Sequence, residues 1–107
     1  MTDNYVRKAK VTYIVDGDTF DANVDLGYDI WTKQRYRMLE INTPERGQLN
    51  YAEAKQYLSD RIMGKEVYIE SVKDDSFGRY LANVYVDGVM INLELIENGL
   101  AVKYKKK

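Results

Sequence analysis

The stretch YIVDGDTFDANV, Tyr13 to Val24, decides how the chain begins to fold. It reads as two pieces of sheet joined by a tight Asp-Gly-Asp turn. It also places Asp16, Asp18 and Asp21 within one short span. Aspartate is a poor strand former, and like charges held close together repel one another. A turn explains one of the three carboxylates. A positively charged guest, most simply a metal ion, would explain the rest.

Working outward, Val6 to Val15 mixes apolar and cationic residues as a strand does, with Val11, Tyr13 and Val15 expected on one face. Thr19 to Leu26 returns as the second strand. A third is expected over Ile30 to Ile41, with Arg35, Arg37, Leu39 and Ile41 on one face and Tyr36, Met38 and Glu40 on the other. Pro44, the single proline, ends it. Asn50 followed by Glu53 has the spacing of a capping box, and Tyr51, Ala54, Leu58 and Ile62 recur at helical spacing up to Gly64. Glu66 to Val72 is a fourth strand, with Val67 and Ile69 alternating against Tyr68 and Glu70. Arg79 to Val86 is a fifth, turned by Asp87-Gly88, and a short helix runs from Ile91 to Asn98. Five short strands with a helix between the third and fourth predict a mainly β (α+β) fold: a five-stranded OB-fold Greek-key barrel capped by helices.

The 107 residues predict one domain over 1–107, large enough to bury a core without disulfides. There is no cysteine and no histidine, which removes thiolate metal sites, His-rich zinc sites and every Ser-His or Cys-His nucleophile. Chemistry is left to carboxylates, arginines, lysines, tyrosines and hard cations bound through oxygen. The net charge is −1, so the molecule as a whole is no obvious polyanion binder, although Lys103 and Lys105 to Lys107 make a basic tail. No apolar run reaches membrane-spanning length, so no membrane association is expected. Met1 to Lys10 lacks the apolar core of a signal peptide; a cytoplasmic location is expected, or secretion if the chain derives from a longer precursor.

Three segments are punctuated by unusual residue choices: VDGDTF (Val15 to Phe20), RMLEINTPE (Arg37 to Glu45) and DDSFGRYLANVYVDG (Asp74 to Gly88). Each alone has a plain reading as a hairpin turn, a strand end and a loop entering a strand. In this order, and together with YAEAKQYL and the closing MINLELIENGLA, they resemble the thermonuclease, or staphylococcal nuclease-like, family over nearly the whole chain. The resemblance implies an OB-fold barrel and a calcium-dependent phosphodiesterase acting on DNA and RNA. It implies that Asp18 is a calcium ligand, that Thr43 binds calcium through its carbonyl, and that Arg37, Glu45 and Arg79 are the catalytic residues. Phe77 stands where the family often has a tyrosine near the nucleotide, and Tyr104 would help hold the substrate. Asn42 departs from the pattern, standing where the best-known members carry a second calcium-binding aspartate. Its amide still offers an oxygen, but one full negative charge is missing, and weaker calcium binding is expected.

The chemistry suits such residues. Phosphodiester cleavage gains charge on the phosphate oxygens, and fixed cations stabilise it best where water is excluded. Arginine forks match phosphate oxygens in a way lysine does not. Glu45 is the residue placed to activate or orient water. A single-stranded DNA or RNA substrate and a monomeric state are expected. The alternative is a weakened OB-fold module that binds single-stranded nucleic acid or nucleotides without cutting. A protein-interaction domain on the same scaffold would have little reason to keep both arginines and the glutamate.

Overall fold

The computed structural model describes residues 5–74 and 79–103, with side chains described over 6–71 and 80–103. Strands β1 (Tyr5–Asp16) and β2 (Thr19–Asp25) form the hairpin that the Asp-Gly-Asp turn demands. They are followed by β3 (Trp31–Met38), β4 (Ile41–Asn42), helix α1 (Tyr51–Ile62), β5 (Glu66–Asp74), β6 (Arg79–Val86), β7 (Val89–Met90), helix α2 (Ile91–Glu97) and β8 (Val102–Lys103). β2 pairs antiparallel with β1 and β3, and β5 with β1 and β6. A parallel pairing of β3 with β6, Arg37 opposite Leu81, closes the ring into a five-stranded barrel. The expected OB-fold is therefore present. β4 pairs with β8 beside it, setting Asn42 opposite Val102.

Alternation explains the walls. In β2 Phe20, Ala22 and Val24 point inward while Thr19, Asp21, Asn23 and Asp25 point out. Val67 and Ile69 of β5 do the same. α1 seals the barrel with Ala54, Leu58 and Ile62, all fully buried, and ends at Gly64, whose positive φ of 71° suits a residue without a side chain. No helix among the described residues is long and apolar enough to cross a membrane.

Three local expectations are corrected. First, Val11 is buried but Tyr13 is 56% exposed and Ile14 takes the inward place. The register slips between Val11 and Tyr13 against β2, so a bulge shifts the inward set by one residue. Second, the strand expected over Ile30–Ile41 stops at Met38. Glu40 turns with φ 61°, and Tyr36 and Met38 face the core where the arginines face out. The turn resets the phase, which is why Ile41 is buried while Leu39 is only partly so. Third, Asn50 starts α1 in a left-handed conformation without a side-chain cap; its carbonyl accepts the Ala54 N–H at 3.0 Å.

Asn92, 2% exposed, ties these pieces together. Its amide oxygen accepts the Val84 N–H at 3.0 Å, and its NH2 group donates to the Leu39 and Ala82 carbonyls, each at 3.1 Å. The first turn of α2 is thereby fastened to β6 and to the turn that leads into β4.

Candidate active site

The Asp16–Asp18 turn lies against the start of α1 and the exit of β4 because Gly17 has no side chain. A Cβ there would stand 2.9 Å from both the Ala54 Cβ and the Thr43 Oγ1, closer than atoms pack. That approach carries Asp18 under β4. The Asp18 carboxylate accepts the Thr19 hydroxyl at 3.1 Å through Oδ1 and the Thr43 N–H at 3.3 Å through Oδ2. Its main-chain oxygen accepts the Met38 N–H at 2.7 Å, so the turn and the end of β3 are fixed to each other.

Arg37 sits on the outer face of β3, between Thr19 of β2 and Leu81 of β6. Its Nη2 lies 3.5 Å from Asp18 Oδ2 and donates to the Asn42 amide oxygen. The Arg37 and Asp18 side chains are only 19% and 13% exposed, so this charge pair is largely out of water. Glu45 is exposed at the rim. Its N–H donates to the Gln48 side-chain oxygen at 2.7 Å and its carbonyl accepts the Gln48 N–H at 2.9 Å, a clamp that sequence reasoning did not single out.

Asp18, Arg37, Asn42, Thr43 and Glu45 line one open pocket of about 590 Å3, whose far wall is Gly99 to Val102. A recess of about 330 Å3 shares Asp18, Thr43 and Glu45 and adds Arg46. The structure thus brings five of the expected site residues together across the barrel mouth. Arg79 opens β6, two residues before the β6 partner of Arg37; its side chain, together with Phe77 and Tyr104, lies outside the described residues.

The other two acids of the opening hairpin have found protein partners. Asp16 accepts the Tyr51 hydroxyl at 2.6 Å while lining the same pocket, and that hydrogen bond raises the phenol's pKa. Asp21 is gripped by Arg35 at 2.7 and 3.2 Å; the hydrogen bond and charge of Arg35 lower its pKa, against a smaller opposing effect of burial. Among the described residues no cluster of three or more acidic, histidine or cysteine side chains is close enough to cage a metal.

What gathers at the pocket is a set of oxygen-bearing residues: Asp18, Asn42 and Thr43, with Asp16 and Glu45 nearby. Such donors fit a hard divalent cation rather than zinc or copper. Asn42 Oδ1 already accepts from Arg37 but retains a second lone pair. The set fits calcium, held by few charges.

Comparison with known proteins agrees with this geometry. Residues 35–107 match the family model described as staphylococcal nuclease homologue. The chain is 36% identical over 104 residues to an uncharacterized protein of Bacillus anthracis, covering 89% of this chain and 46% of that protein. It is 34% identical over 97 residues to an uncharacterized endonuclease of Haemophilus influenzae, covering 91% and 52%. To a micrococcal nuclease of Shigella flexneri it is 30% identical over 107 residues, covering 92% and 59%. The chain spans about half the length of the curated relatives it matches. With the barrel, the pocket and these similarities together, the chain belongs to the staphylococcal nuclease homologue family.

Proposed function

We propose that this chain is a calcium-dependent phosphodiesterase, acting as a monomer, that hydrolyses DNA or RNA with low sequence preference. One observation carries the reading: a largely buried arginine, an oxygen-rich turn and an exposed glutamate, drawn from separate parts of the chain, share one pocket. Family membership supports it.

In this reading Arg37 offers its planar fork to the phosphate oxygens as they gain charge. Glu45, on a backbone fixed by Gln48, orients the attacking water or takes its proton. Arg79 is assigned the second phosphate contact on the family resemblance, and Phe77 and Tyr104 the contacts to the nucleotide. Asp18, Asn42 and the Thr43 carbonyl would hold calcium, which when bound supplies further positive charge for the phosphate. Attack in the family's manner leaves a 3′-phosphate. With Asp18 as the single carboxylate among these three donors, calcium affinity is expected in the weak range of about 0.1–1 mM.

The test is cleavage of single-stranded DNA across a calcium titration, with EGTA and Glu45→Gln as controls. Calcium-dependent cutting is expected, with Glu45→Gln slower by about 100- to 10,000-fold. A second reading, a module that binds nucleic acid without cutting, is favoured by one feature: Asn42 supplies an amide oxygen to Arg37 where a further metal carboxylate would stand. Tight binding without cutting at about 10 mM calcium, far above that expected affinity, would select it.

A further inference from the structure

The β2–β3 hairpin leaves an aromatic tip exposed. Tyr28 is 97% exposed with φ 56°, and Trp31, which opens β3, is 50% exposed. From Trp31 the outer face of β3 continues with Lys33, Arg35 and Arg37, each two residues on and so on the same side of the strand. The opposite positions on β2 are Asp25, Asn23, Asp21 and Thr19. One wall of the barrel therefore runs from an exposed indole through three cations into the pocket. At about 3.3 Å per residue it covers about 20 Å, the length of about six stacked nucleotides.

We propose that this outer face of β3 is the track along which a single nucleic-acid strand reaches the pocket, with Trp31 and Tyr28 stacking on its bases. The inference rests on the phosphodiesterase reading and extends it to substrate length. Continuity decides the occupant: the face is not a separate patch but ends in Arg37, which lines the pocket itself. Flat rings at one end and cations along the rest suit stacked bases and phosphates. A protein partner would favour an apolar centre depleted of charge, and here the centre holds Lys33 and Arg35. Asp21 offsets the charge of Arg35 and Asp18 lies 3.5 Å from Arg37, so attraction to phosphates is modest and stacking carries the rest. The salt dependence of binding is accordingly shallow, with a slope of log K against log salt of about −1 to −2.

Trp31 is the sole tryptophan, so its emission reports on this face alone. The full chain carrying Glu45→Gln, to prevent cutting, is titrated with a thymidine dinucleotide and with a labelled thymidine strand of about 12 nucleotides, within the range of OB-fold site sizes. Binding is followed by anisotropy of the labelled strand and by Trp31 emission. The long strand is expected to bind more tightly and to quench Trp31; the dinucleotide leaves its emission unchanged. In the otherwise native chain, Trp31→Ala is expected to raise KM for the long strand about 5- to 150-fold and to leave dinucleotide cleavage unchanged, with Trp31→Phe retaining most of the affinity. Saturation by the long strand with silent Trp31 emission and an unaltered KM in Trp31→Ala would overturn the track while leaving the phosphodiesterase reading in place. Failure of every strand to bind would overturn both.

Discussion

Arg37 and Arg61 each face a carboxylate from a distant part of the chain, yet their surroundings differ in kind. Arg61, on α1, meets Glu94 of α2 through Nε at 2.5 Å and Nη2 at 3.2 Å, and the Tyr57 hydroxyl donates to the same carboxylate at 2.8 Å. The charges are matched, both carboxylate oxygens are used, and the two helices are joined. Arg37 instead has a carboxylate at 3.5 Å and a neutral amide as its closer acceptor, and it faces a pocket. A pair that joins two helices closes a surface; an arginine that lines an open pocket can meet a ligand there. The same residue type thus serves as a helix clasp at one place and as a phosphate site, in our proposal, at the other.

The sharpest way to break this contrast is Arg37→Lys. It keeps the charge and loses the fork, so kcat is expected to fall by about 100- to 1,000-fold while the urea midpoint moves little. An unchanged rate would mean that Arg37 is only a structural partner like Arg61.

Glu94→Gln should do the reverse, with cleavage retained and stability lower by about 1–2 kcal/mol, at the modest end because the carboxylate is partly exposed. Its pH behaviour sharpens the point. Burial opposes the Glu94 charge, but the hydrogen bonds from Arg61 and Tyr57 and the charge of Arg61 outweigh it and lower the pKa below the ordinary 4.5. A lowered folded-state pKa means stabilisation that is complete above the ordinary value and lost as pH falls through the folded one. Urea midpoints measured from neutral pH down to acid should therefore fall less steeply in Glu94→Gln than in the native chain.

The smallest expected effect is that of Asn42→Asp. It adds a carboxylate to the pocket and should tighten calcium about tenfold, read by calorimetry without substrate. If the new carboxylate instead locks onto Arg37 as Glu94 does onto Arg61, calcium affinity will not move and the rate will drop. That outcome would show the missing charge to be what keeps Arg37 available.

Much of the barrel was legible because it follows from short-range rules. The helix over Tyr51–Ile62 appears in the spacing of Ala54, Leu58 and Ile62, and the β5 wall in Val67 and Ile69. Elsewhere the pattern misled. Tyr13 carries a strand former's side chain at an alternating position, yet the bulge that turns it outward depends on pairing with β2. Glu40 has no glycine's freedom, but the surrounding structure holds it at positive φ, and no residue type announces that. For the site, the order of the three motifs pointed to Asp18, Arg37, Asn42, Thr43 and Glu45. Nothing in the order of residues told that Asn42 would bind Arg37, that Gln48 would clamp Glu45, or that Asn92 would fasten the turn before β4. The first hairpin, with Asp18, also precedes the family match at residues 35–107, so its place in the site rests on the packing around Gly17.

By itself the sequence determined the five barrel strands and two helices in outline, the absence of thiol and imidazole chemistry, and the kinds of side chain available for a reaction, because periodicity and composition are local properties. Only the tertiary structure decided which of those side chains meet. Asp16, Asp18 and Asp21 are near neighbours in the chain, but closure of the barrel sends them to Tyr51, to the Thr43 and Arg37 corner, and to Arg35 respectively. Partnership is settled by register and by the close approach of strands, and these exist only once the sheet has closed.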